Sequence, residues 1–151
     1  MKTGESNTTL TDPILRLAEY WLSARLMHDH VHEIKEAYFR LNGLKEDGLF
    51  HEFHTYVSFW LSALFVVSEG YIELGLSDHV LDPLIERHIE SLRLYRNATF
   101  HFQRKPDKHV QFYRDPANRL NWAEELHASL EDFFLRHVQE PENAGARGPS
   151  A

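Results

Sequence analysis

The chain reads as an all-α protein, an up-and-down bundle of four long helices plus one or two short helices. Three observations lead there. Apolar residues recur at spacings of three and four through most of the 151 residues, and no segment sustains the alternation of a strand. Turn and cap signals fall between these long periodic stretches. A hydrophobic content of 42% and an aromatic content of 13% are ample for one core in a chain of this length.

Residues 1–11 form a polar, flexible lead-in, residues 12–139 the helical bundle domain, and residues 140–151, rich in Pro, Gly and Ala, a disordered tail. The first helix is capped by Thr11 or Asp12, takes Pro13 at its first position and meets no breaker before Leu41, ending at Asn42-Gly43. A second starts near residues 45–49 and runs through Phe53, Val57, Trp60, Leu64, Val67 and Ile72 to Gly75. It is apolar on nearly all sides in its middle, which marks the centre of a bundle. Ser77-Asp78 and Asp82-Pro83 are successive turn and cap signals, so the third helix is expected to start at Pro83, with Pro106 closing its far end. Residues 106–116, with Val110, Phe112 and Tyr113, read as a short helix or an ordered loop. The last helix, 117–139, carries Leu120, Ala123, Leu126 or His127, Leu130, Phe133 or Phe134 and His137 at helical spacing.

The chain contains no cysteine, which excludes disulfides, thiolate nucleophiles and zinc-thiolate sites and suits a reducing cytoplasm. The N-terminus lacks the apolar core of a signal peptide. The longest charge-free run, Phe53 to Ser68, is 16 residues, short of the roughly 20 that span a bilayer, so it reads as a buried helix and no membrane is expected. Glycine-rich phosphate loops and nucleophile elbows have no counterpart in the sequence. The net charge of −7 argues against a general polyanion-binding surface. Its distribution qualifies this. Residues 83–120 hold eight basic and four acidic residues, a balance of +4, whereas the remaining eight basic and nineteen acidic residues sum to −11.

That basic excess surrounds Leu94-Tyr95-Arg96-Asn97-Ala98-Thr99-Phe100-His101-Phe102-Gln103-Arg104. With Ile85 at the origin of a helical wheel, Ile89 falls at about 40°, Leu92 at about −20° and Arg96 at about 20°, so the arginine continues the apolar stripe. Burying an unpaired charge costs several kcal/mol, so Arg96 must meet a carboxylate, Glu69 or Glu73 on the second helix being the nearest in pattern, or open into a cleft. His101 lies about 140° from Arg96 on a straight helix. Either the helix loosens at Asn97 to Thr99 or a second copy of the chain completes the pair.

Arg96-Asn97-Ala98-Thr99-Phe100-His101 resembles the signature of HEPN domains, an arginine followed after four to six residues by a histidine, usually with a polar residue next to the arginine, here Asn97. The resemblance extends over roughly residues 14–139 as a pattern of long helices. It implies a homodimer that brings two motifs together and cleaves RNA without metal or other cofactor, and a partner antitoxin or regulatory protein. By that resemblance Arg96 and His101 are catalytic and Asn97 assists. A tyrosine two residues after the histidine, modified in some toxin and antitoxin pairs, is replaced here by Gln103. The chemistry suits the residues. A histidine can move the protons of a 2′-hydroxyl and a leaving oxygen, and a guanidinium holds two phosphate oxygens at once. Arg93, Arg104, Lys105 and Lys108 are the candidate RNA-binding cations.

Two alternatives stand beside this reading. One is a catalytically silent helical interaction module. The other is a metal-binding bundle enzyme in which His28 and His32, one turn apart on the first helix, take a partner from the second, where His51 and His54 lie. Among the aromatics, Trp21, Phe59, Trp60, Phe65 and Trp122 are expected in the core or a dimer interface. Phe100, Phe102, Phe112 and Tyr113 favour core over base stacking. Leu94 projects away from Ile85, Ile89 and Leu92, an apolar position left for a second copy.

Overall fold

A computed structural model describes residues 11–40, 47–104 and 120–139. They form four helices, α1 (Thr11–Arg40), α2 (Asp47–Glu73), α3 (Leu81–Phe100) and α4 (Asn121–Gln139), with no strand among the described residues. The expected lead-in, the short element at 106–116 and the tail fall outside those residues. So do Lys105, Lys108, Phe112 and Tyr113.

The apolar girth of α2 dictates the arrangement, because a helix without a polar face must be covered from several directions. Val57, Trp60, Leu61, Leu64 and Val67 are fully buried. His51–Glu73 is long and apolar enough to cross a membrane, yet here half of that stretch is buried inside the bundle. Leu17, Trp21, Ala24, Val31 and Ile34 come from α1, Leu81, Leu84, Ile85, Leu92 and Tyr95 from α3, and Ala123, Leu126, Leu130, Phe133 and Phe134 from α4. Cross-contacts give the directions. His30 on α1 stacks on Tyr56 of α2 at 5.1 Å, and Leu17 lies against Gly70, so α1 and α2 are antiparallel. Tyr71 of α2 meets Asp82 at the start of α3, and Phe59 meets Phe100 at its end. His88 of α3 stacks on Trp122 of α4, while Asp78 just before α3 bonds Arg136 near the end of α4. The bundle therefore runs up, down, up and down.

Two glycines permit this geometry. A Cβ on Gly70 would stand 2.5 Å from Leu17 Cδ1, so glycine leaves room for the Leu17 side chain of α1 against α2. Gly75, at φ 65°, closes α2: its N–H donates to Ile72 O (2.9 Å) and that of Leu76 to Tyr71 O (3.2 Å). This paired reversal satisfies carbonyls that a helix end otherwise leaves open.

The start of α3 differs from expectation. The helix begins at Leu81, two residues before Pro83, because Asp78 rather than Asp82 caps it. Asp78 Oδ1 accepts from the N–H groups of Val80 (2.9 Å) and Leu81 (3.0 Å), and its carbonyl accepts from Asp82 N–H (2.9 Å). Asp82 is released to accept from Tyr71 Oη–H at 2.6 Å and Ser77 Oγ–H at 2.7 Å. Arg136 Nη2 donates to Asp78 Oδ2 at 2.9 Å. At the other boundary, α4 begins at Asn121, with Leu120 O accepting from Glu124 N–H; residues 117–119 of the expected helix lie outside the described residues.

Burial alone would raise the Asp78 carboxyl, but the bonds from Leu81 N–H, Arg136 and Val80 N–H outweigh it and hold the group at about 2. A carboxylate depressed in the folded state contributes stability that is complete above its unfolded value, about 4, and is lost as pH falls towards the folded one. Asp78→Ala should therefore lower stability at pH 7 by about 1–2 kcal/mol, the range for a lost helix cap, in urea denaturation. The gap between wild type and variant should narrow as the titrations are repeated from pH 4 down to pH 2.

Candidate functional site

Arg96 does continue the apolar stripe of α3. Leu92 one turn before it is fully buried, Ile89 is partly buried, and Arg96 is half-buried between helix and solvent. No carboxylate among the described residues pairs with it, so the expected bond to Glu69 or Glu73 is not made. Instead the guanidinium stands 5.6 Å over the Phe65 ring of α2, and its Nη1 donates to Asn97 Oδ1 at 2.9 Å. The aromatic face and the neutral amide hold the cation without neutralising it. Among the described residues Asn97 is the one hydrogen-bond acceptor for its five N–H donors.

The helix stays intact through the motif. Thr99 Oγ donates to Tyr95 O at 2.8 Å, and His101 N–H donates to Asn97 O at 2.9 Å. The backbone leaves α3 only at His101, which is extended at φ −120° and ψ 129° and exposed. Of the two expected routes to a converged pair, loosening at Asn97 to Thr99 is therefore absent. Gln103 Nε2 donates to His101 O at 3.2 Å and stabilises the exit of the chain.

Two grooves flank this helix end. One, of about 330 Å³, is lined by His51, His54, Thr55, Ser58 and Phe59 of α2 with Ala98 and Thr99 of α3. Burial lowers the His54 imidazole below its ordinary value, and His51 adds to the shift. The second, of about 370 Å³, is apolar and runs between Tyr20, Leu26 and Met27 of α1 and Phe59, Val66 and Phe100. Phe100 and Phe102 are 58% and 94% exposed, a correction to their expected place in the core. They lie at and beyond the last turn of α3, past the level of His88, which stacks on Trp122 at the start of α4. Phe59 is likewise exposed, whereas Trp21, Trp60 and Phe65 are buried as expected and Trp122 partly so. Leu94 is exposed, as predicted from its place on the wheel, but the apolar groove is the larger uncovered surface.

The candidate RNA-binding cations divide. Arg93 bonds Glu90 through Nη2 at 2.6 Å, which offsets its charge, while Arg104 is exposed and has no acidic partner among the described residues.

The histidines separate in space. His51 and His54 adjoin the motif, so the second helix supplies no partner to His28 and His32; that partner is Glu124, in the first turn of α4. His28 Nε2 lies 2.5 Å from Glu124 Oε2, His32 Nε2 lies 3.1 Å from Oε1, and the two Nε2 atoms are 3.1 Å apart. Burial would raise the Glu124 carboxyl, but the hydrogen bond and charge of His28, with His32 and His127, hold it below its usual value. Beneath them the buried His127 stacks on His28 with centroids 3.8 Å apart and accepts from Trp60 Nε1–H at 3.2 Å. Burial, and then His28, push His127 down to about 3, so its ring is neutral at pH 7. His127 had a legible signal, a polar residue on an apolar stripe. Glu124 had none, because the pairing spans more than ninety residues.

No family model, curated protein or solved structure matches the chain.

An arginine whose charge is held by a ring face and a neighbouring amide contributes little to stability, whereas one in a buried ion pair leaves a stranded carboxylate when removed, at about 3–5 kcal/mol. Arg96→Ala should therefore shift the unfolding free energy by less than about 1.5 kcal/mol, measured by urea titration at pH 7. A loss in the ion-pair range would reveal an acidic partner.

Proposed function

We propose that the protein is a metal-independent RNA endonuclease of the HEPN kind, acting as a homodimer through Arg96 and His101 with Asn97 assisting. The observation that carries this reading is Arg96, a half-buried guanidinium held by Phe65 and Asn97 with no carboxylate partner among the described residues. Such a cation is available to a phosphate, and a planar guanidinium binds phosphate oxygens in pairs. His101, exposed where the chain leaves α3, supplies a proton-transfer group beyond the same helix end.

The reaction needs a base to take the 2′-hydroxyl proton, cationic donors for the phosphorane oxygens, and an acid for the leaving 5′-oxygen. Two histidines and two arginines across a dimer axis provide all three. α3 runs unbroken to Phe100 and the chain leaves it only at His101, so no loosening within the motif draws the two side chains together, which favours sites shared between chains. An interface over the apolar groove at Phe59, Val66 and Phe100 would bury exposed apolar surface beside His101. Arg104, Lys105 and Lys108 then attract the RNA backbone, and Phe102, almost wholly exposed, offers a face for a base.

Incubated with total RNA in excess chelator, the wild type should cut and leave 2′,3′-cyclic phosphate ends, with His101→Ala slower by at least about 100-fold and Arg96→Ala comparably impaired. Wild-type cleavage by His101→Ala defeats the proposal. In forced heterodimers of Arg96→Ala with His101→Ala, partial recovery is expected because one shared pair survives. Absence of recovery in heterodimers shown to be folded argues for sites contained within one chain or needing all four side chains.

A further inference from the structure

We propose that His28, His32 and Glu124 form a binding site for a divalent first-row transition ion, zinc above all, that ties the first turn of α4 to the middle of α1. This site is separate from Arg96 and His101 and does not rest on the nuclease reading.

The first argument is proton accounting. One ligating atom each from His28, His32 and Glu124 lie within 4.8 Å of one another. Three close contacts meet there: 2.5 Å and 3.1 Å from the imidazole nitrogens to the carboxylate, and 3.1 Å between the nitrogens. A neutral imidazole carries a proton on only one nitrogen. If each Nε2–H donates to the carboxylate, two N–H groups face each other across 3.1 Å. If one Nε2 gives up its proton to accept from the other, that nitrogen's lone pair is turned to the carboxylate. With the carboxylate ionised, no distribution of protons on two neutral imidazoles gives each of the three contacts its own donor and acceptor, whereas one cation attracts all three atoms at once.

Geometry gives the second argument. Histidines four residues apart on one helix face are a recurrent zinc-binding arrangement, and two histidines with a glutamate are a known three-ligand set. Ligands at about 2.0–2.2 Å from a tetrahedral zinc ion stand about 3.3–3.6 Å apart. The two 3.1 Å separations fall a few tenths short of that. The short His28 contact would open by about 1 Å, which the glutamate side chain can take up.

The third argument is preorganisation. His28 is clamped by the stacked ring of His127 at 3.8 Å and by Trp60 at 4.9 Å, and the Trp60 to His127 hydrogen bond fixes both rings. One ligand is therefore set by the core. His32 and Glu124 side chains remain 47% and 36% exposed, so an ion can enter and a water can take the fourth position. Nitrogen and carboxylate ligands select zinc or its late first-row neighbours over magnesium and calcium, which prefer oxygen alone.

The test uses the full chain, stripped with chelator, dialysed and titrated with Zn²⁺ by calorimetry, with thermal melts alongside and Co²⁺ absorption as a coordination reporter. Wild type should bind one ion per chain, melt at a higher temperature with Zn²⁺, and give the intense visible bands of four-coordinate cobalt. His32→Gln and Glu124→Gln should each weaken binding by at least about 10-fold, the smallest loss seen on removing even an outer partner of a metal ligand, and lose the thermal shift. His30→Gln and His101→Ala should bind as wild type does. Because His32 is exposed, its variant decides the matter if Glu124→Gln fails to fold. Wild-type affinity in His32→Gln, or equal losses in His30→Gln, overturns the site, as does wild-type protein that takes up no Zn²⁺. RNA cleavage plays no part in these readouts, so the two proposals stand or fall apart.

Discussion

Everything in this fold follows from the need to enclose α2. The buried large side chains of α2 run from Val67 through Trp60, Leu64 and Leu61 to Phe65, a sector of about 160° that one neighbouring helix cannot cover, and burial of each is worth about 1.5–3 kcal/mol. Three helices must then be threaded around it in alternating directions. Polar groups drawn inside have to be satisfied there. The indole N–H of Trp60 finds His127, and that bond fixes a buried imidazole against which His28 stacks. The side chains nearest the candidate metal ligands are thus a by-product of covering the central helix.

The same enclosure shapes the Arg96 end. Phe65 is held in the core of α2, so the ring beneath the guanidinium cannot move away, while Phe59, about 120° from it on the α2 wheel, remains exposed beside Phe100. Core and groove are therefore adjacent strips of one helix. The arginine lies half-buried over Phe65 with its charge still open to solvent, which explains how a charged residue occupies an apolar position without a carboxylate.

Helical periodicity made much of this legible. The place of Arg96 on the stripe of Ile85, Ile89 and Leu92, the central role of α2 and the exposure of Leu94 all follow from angles that any straight helix imposes. What periodicity cannot supply is the partner across the bundle. His28 and His32 reveal their shared face, but nothing local distinguishes Glu124 from the other carboxylates of α4, and the sequence points as readily to His51 and His54. The α3 cap misleads for a different reason. Asp78 and Asp82 stand four residues apart and both suit a helix start; the choice falls to Asp78 because Tyr71 and Ser77 engage Asp82. Phe100 and Phe102 read as core by residue type alone, and only the end of the helix exposes them.

The knot of Asp78, Asp82, Tyr71, Ser77 and Arg136 makes α3 a lever with its fulcrum at the N-terminus. Fourteen residues separate Asp82 from Arg96, about 21 Å of helix at 1.5 Å per residue. A tilt of about 5° about that fulcrum would carry the guanidinium by about 2 Å, more than enough to spoil an alignment on a phosphate. On the proposed nuclease reading, a loosened fulcrum would silence the far end of the helix while every side chain there remains intact.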